Sequence, residues 1–144
     1  MIKSNAQPRT TSKLGQRNSS ESFAFSNMMK DWLSRITRSE KPAKKVIAYN
    51  IGLFQTEQGY GAYLCGATKY LPNDDDWATE EAFTPKERYF SFPTEFAKGV
   101  NWKQAERATI SAVRRFLTEN PDSFLAKANA LTVGFDDGDL VRVK

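Results

Sequence analysis

Ala130–Val143, ALTVGFDDGDLVRV, is the stretch whose reading decides the fold. Ala130–Phe135 is an apolar run, Leu140–Val143 alternates apolar and polar residues, and Asp136-Asp137-Gly138-Asp139 separates them. Asp-Gly between two such runs predicts an antiparallel hairpin, because both residues tolerate the positive φ of a tight turn. A lone hairpin is marginal in water, so it needs further strands and a covering layer. Val46–Phe54 (VIAYNIGLF) and Tyr60–Ala67 (YGAYLCGA) supply a second hairpin around Gln55–Gly59, with Gly59 providing positive φ. Gly52, Gly61 and Gly66 inside these strands mark bulges or close backbone approach. Glu87–Phe92 reads as another strand closed by Pro93, and a further short strand near Lys69 is an option.

Two helices accompany the strands. From Asn101 to Glu119, Trp102, Ala105, Thr109, Ala112, Val113 and Phe116 recur at helical spacing, and Asn101 with Gln104 fits a capping box. Pro121 stops this helix, and Ser123–Lys127 adds one turn. In the other, Phe25, Met28, Met29, Trp32, Leu33 and Ile36 form an apolar stripe with Ser26 or Asn27 as N-cap. The order of elements predicts an α+β protein: an antiparallel sheet of about five strands, covered on one face by the long helix, preceded by an amphipathic helix. The expected division is a disordered basic tail at 1–22, the amphipathic helix and linker at 23–45, and a single α+β domain at 46–144. The tail has only Ile2 and Leu14 as large aliphatics, too little apolar surface to offset the entropy of ordering. Met28 and Met29 are alternative start points for the chain, and Trp32 with its basic neighbours could instead lie on a membrane surface.

Composition removes several function classes. The 144 residues contain no histidine and one cysteine. Ser-His-Asp and Cys-His catalysis and His- or Cys-rich zinc sites are therefore excluded. Cys65 lies in an apolar strand and reads as a small buried hydrophobe, with no call for an oxidising compartment. The polar N-terminus does not resemble a secretory leader, and no apolar run is long enough to span a membrane, so the expected location is cytoplasmic. The net charge of +4 averages two unlike parts. Residues 1–45 carry ten basic and three acidic residues, a net +7, whereas residues 46–144 carry eleven basic and fourteen acidic, a net −3. Neither a Walker loop nor GxGxxG is present, and the basic residues of the long helix (Lys103, Arg107, Arg114, Arg115) read as solvated decoration.

Two acidic groups stand out: Asp74, Asp75, Asp76 beside Trp77 with Glu80 and Glu81 beyond, and Asp136, Asp137, Asp139 in the terminal turn. Three adjacent aspartates repel one another, and a turn needs only one or two. Concentrated negative charge next to an indole suits docking on a basic protein, where charge speeds encounter and the aromatic anchors the contact; the alternative is that Trp77 folds back into the core and fixes the loop. These nine residues are the expected partner-binding site; no catalytic residue, metal ligand or cofactor is assigned. Two other readings stay open. The aspartate groups could jointly hold Mg²⁺ in a hydrolase, although their spacing fails the EF-hand pattern. The basic residues 1–45 could serve a nucleic-acid accessory protein.

The motifs NIGLFQTEQGYGAYLCGA, NDDDWA and GFDDGDLVRV together resemble small, mostly uncharacterised bacterial cytosolic α+β domains of the polymorphic-toxin immunity-protein type. The resemblance covers about two thirds of the chain, and none of its motifs is catalytic. It implies a non-enzymatic protein that neutralises a cognate toxin by direct contact through an acidic surface.

Overall fold

The computed structural model describes residues 6–144; the first five residues of the expected tail lie outside them. Helix α1 spans Ala6–Ser39, β1 Ala48–Thr56, β2 Gly59–Ala67, β3 Tyr89–Ser91, α2 Thr94–Lys98, α3 Trp102–Glu119, α4 Phe124–Lys127, β4 Ala130–Phe135 and β5 Val141–Arg142. A 3₁₀ helix at Asp75–Thr79 sits in the β2–β3 connection. The fold is α+β with five strands in the order β3-β2-β1-β4-β5.

The sheet is mixed, which corrects the expectation of an antiparallel one. β1 pairs antiparallel with β2 and parallel with β4, from Ala48↔Ala130 to Leu53↔Phe135. The reason is the connection. Parallel strands need a long, usually helical crossover, and the segment from β3 through α2, α3 and α4 is one. It carries the chain from one sheet edge to the far side of β1. With both neighbours in place, β4 is buried along its whole length.

Helix α1 begins at Ala6, well before Ser26 or Asn27, so residues 6–22 are helical where composition predicts disorder. Nucleation is the costly step of helix formation, and a turn anchored by tertiary contacts propagates outward at little further cost. Pro8 falls in the first turn, where its missing N–H needs no partner. The anchor is the predicted stripe: Phe25, Met29, Trp32, Leu33 and Ile36 are all buried. The Phe25 ring stacks on Phe96 at 4.5 Å and tilts against Phe92 at 4.7 Å. Trp32 Nε1 donates to the Glu87 carbonyl at 2.8 Å, tying α1 to the approach of β3. The Arg35 guanidinium grips the Glu87 carboxylate through two hydrogen bonds of 2.9 and 2.7 Å and holds it below the usual carboxylate range.

Tyr49, Ile51, Leu53, Tyr60, Leu64, Leu131 and Val133 share one apolar core with α1 and with Ala105, Ala112, Val113 and Phe116 of α3. The α3 capping box forms as the sequence predicts: Asn101 Oδ1 accepts from Gln104 N, and Gln104 Oε1 accepts from Asn101 N. Trp102 departs from the predicted stripe. It stands at the first helical position and is 49% exposed.

The two hairpins differ from expectation in detail. β1 and β2 join through Glu57-Gln58, and Gly59 adopts φ +146°, alone among the described residues in that region. β4 and β5 pair antiparallel, Val133↔Val141 and Thr132↔Arg142, but over a wider loop than a two-residue turn. Gly138 N donates to the Phe135 carbonyl at 3.0 Å, closing a turn at negative φ throughout. No bulge interrupts β1–β2, whose pairing runs unbroken from Ala48↔Ala67 to Thr56↔Gly59. The strand glycines instead lie under aromatic rings. A Cβ at Gly52 would stand 2.2 Å from Tyr63 Cζ, and one at Gly61 would stand 2.6 Å from Phe54 Cζ. The option of a strand near Lys69 is not realised; a single bridge, Gly66↔Phe83, takes its place.

Candidate binding surface

The sheet's second face decides where the predicted site residues lie. Ala48, Ala67 and Ala130 sit side by side on β1, β2 and β4, and their small side chains leave a depression. Trp77 fills it and is 1% exposed. Tyr70 packs edge-on against it at 5.2 Å. The indole predicted as a partner anchor is therefore a plug that fastens the β2–β3 connection to the sheet. Sequence places an aromatic beside the aspartates but cannot show three alanines converging beneath it.

Trp77 in turn fixes the acidic loop. Asp74 caps the 3₁₀ helix, its Oδ1 accepting from Asp76 N at 3.0 Å. Asp75 Oδ2 accepts from Leu140 N at 3.2 Å, beside Asp139. This contact places the loop of the first acidic group against the turn of the second. Asp74, Asp75, Asp76, Asp136, Asp137 and Asp139 are all exposed. Asp136 Oδ1 accepts from the Tyr63 hydroxyl at 2.7 Å; burial, and after it this bond, raises the phenol's pKa. Glu80 and Glu81 differ from the aspartates in carrying cations of their own: Lys69 Nζ lies 3.1 Å from Glu80, and Arg88 Nη2 lies 2.9 Å from Glu81. Among the described residues, no three or more carboxylate or thiol groups come together as a metal-ligand set. Asp75 meets the second group through a backbone amide, not through a shared ion position.

Sequence reading missed a groove of about 840 Å³ at the carboxyl ends of the parallel strands β1 and β4, beside the start of α3. Phe54, Trp102 and Phe135 form its apolar walls, and Glu106, Asp136, Asp137 and Asp139 supply its charge. Trp102 meets Phe135 edge to face at 5.9 Å. Burial raises the Glu106 carboxyl above its ordinary 4.5; a backbone hydrogen bond from Phe135 opposes this, and nearby Asp139 adds to it. The only sequence signal for the groove is that Glu106 lies one helical turn beyond Trp102.

The raised Glu106 value sets a pH dependence. The folded chain binds this proton more tightly than the unfolded chain does. The associated stability is full below the ordinary value and is lost as pH rises through the folded one. Glu106→Gln is expected to be more stable than wild type at neutral pH, with the gap closing at about pH 4, where both side chains are neutral. Urea midpoints at the two pH values check this; a constant gap would show that charge is not the cause.

Among the described residues, no helix is long and apolar enough to cross a membrane. Comparison with family models, curated proteins and solved structures finds no match for the chain.

Proposed function

We propose that this chain is a non-enzymatic cytoplasmic binding protein that occludes a basic protein partner through its acidic face. A toxin domain is the first partner class to test, on the resemblance of its β-strand and loop motifs to immunity proteins. The observation that carries the reading is the Asp75–Leu140 hydrogen bond, which brings the loop of one acidic group against the turn of the other. Six exposed aspartates on two touching loops create a field that steers a basic partner and rejects acidic ones. Trp77 serves the surface from beneath.

The test is association kinetics with the partner captured on the immobilised full chain. Asp74→Asn, Asp75→Asn and Asp76→Asn, combined with the same change at Asp136, Asp137 and Asp139, remove charge. Asparagine still accepts the hydrogen bonds of the cap and of Tyr63. The expected result is association slowed about 10-fold or more, with wild type falling toward the variant as salt is raised. An unchanged rate rejects the acidic face as the binding surface.

A further inference from the structure

Trp77 and its loop fasten onto the alanine end of the sheet's second face, and the opposite end carries three aromatic rings, two of them beside the Arg88 guanidinium. Phe54, Tyr63 and Tyr89 stand on β1, β2 and β3 and point to the same side, since Tyr63 pairs with both Gly52 and Tyr89. They pack on one another, Phe54 on Tyr63 at 6.3 Å and Phe54 edge-on to Tyr89 at 6.1 Å. Tyr89 is 61% exposed. Gly52 and Gly61, directly opposite Tyr63 and Phe54, have no side chain to screen the rings. Phe54 also lines the groove that Trp102 overhangs, so ring row and groove meet around the carboxyl end of β1, one on each side of the sheet.

We propose that this surface seats a basic segment of the partner, with an arginine side chain entering the groove between Trp102 and the carboxylates. The inference rests on the binding reading above and names the chemistry that would satisfy it. Charge complementarity is its first support. The groove's charged residues are Glu106, Asp136, Asp137 and Asp139, and among the described residues none of the four has a lysine or arginine within 4.0 Å. Outside the groove, Glu80, Glu81, Glu87, Glu95 and Glu119 each have one, whereas among the described residues Glu40 and Glu57 have none and do not stand beside the groove's apolar walls. Four carboxylates beside apolar walls, one of them partly buried, are a standing electrostatic cost that an incoming cation relieves.

The second support is what these rings already bind. The Arg88 guanidinium lies 5.2 Å from the Tyr63 ring and 5.4 Å from the Tyr89 ring, and Lys103 Nζ lies 5.6 Å from the Trp102 ring. A planar guanidinium suits the groove better than an ammonium, because it stacks on an indole while forking to carboxylate oxygens.

The test is a ¹⁵N NMR titration of the full chain with a capped peptide bearing two arginines, against counterparts bearing two lysines or two glutamates. The arginine peptide is expected to shift the Trp102 indole N–H and the amides of Phe54 and Asp136–Asp139, while the Trp32 and Trp77 indole signals stay in place. Trp102→Ala is expected to weaken this binding about 10-fold, and Asp139→Asn with Glu106→Gln to weaken it similarly. Absence of shifts at these residues up to about 10 mM peptide, or equal shifts with the glutamate peptide, overturns the proposal. If the peptide binds here while Asp74→Asn, Asp75→Asn and Asp76→Asn by themselves leave partner association unchanged, the reading of one shared acidic face fails and the groove assignment stands. If association slows but the peptide leaves these signals unmoved, the reverse holds.

Discussion

Trp32→Ala is expected to cost about 3–5 kcal/mol, the range for truncating a core tryptophan, and to lower the melting temperature by roughly 10–15 °C. The indole is 0% exposed and packs against Phe90 at 5.5 Å, so its removal leaves a void between α1 and the edge of the sheet. It also strands the Glu87 carbonyl, which accepts from Nε1. Trp32→Phe separates the two effects. It keeps much of the volume and loses the donor, and is expected to cost clearly less than Trp32→Ala. Denaturant midpoints at unchanged slope are the measurement. A loss below about 1 kcal/mol for Trp32→Ala would mean that α1 is not part of the cooperative unit. The same packing bears on Met28 and Met29 as start points. A chain beginning at either would lack Phe25, which joins α1 to α2 through its stack on Phe96. Deleting residues 1–45 to probe nucleic-acid binding would likewise remove core, not a detachable arm.

Trp77→Ala is the second large effect, and it separates two roles the sequence offers for this residue. As a core plug over Ala48, Ala67 and Ala130 it is expected to cost about 3–5 kcal/mol. As a surface anchor it would cost stability almost nothing. Because the indole pins the loop carrying Asp74–Asp76, the variant is also expected to lose the Asp75–Leu140 hydrogen bond and let the two acidic groups separate. Partner association should then slow even though Trp77 itself touches no partner. Trp77→Phe, which refills most of the depression, is expected to restore much of both properties. A Trp77→Ala variant as stable as wild type but defective in binding would put the indole back on the surface.

The electrostatics of the site were legible in part. Asp74–Asp76 and Asp136–Asp139 stand out as local clusters, and local charge density is a property of sequence. Which of these charges remain uncompensated was not. Glu80 and Glu81 look equivalent to the aspartates until Lys69 and Arg88 fold onto them. Trp77 and Trp102 exchange their expected places for a similar reason. One lies in a polar loop and is buried; the other lies in an apolar helical stripe and is half exposed. Periodicity reports which side of an element an aromatic occupies, not whether another element reaches that far.

Sequence by itself determined the elements whose causes are local: the α3 capping box, a hairpin turn within Gln55–Gly59 with positive φ near Gly59, the apolar stripe of α1 and the pairing of β4 with β5. Only the tertiary structure decided that β4 lies parallel to β1, that residues 6–22 continue α1, and that two acidic loops 65 residues apart meet at Asp75 and Leu140. Capping and turn preferences act over a few bonds, so residue type alone expresses them. Strand order and loop contact depend on how the whole crossover packs over the core, a sum over distant side chains that no local pattern contains.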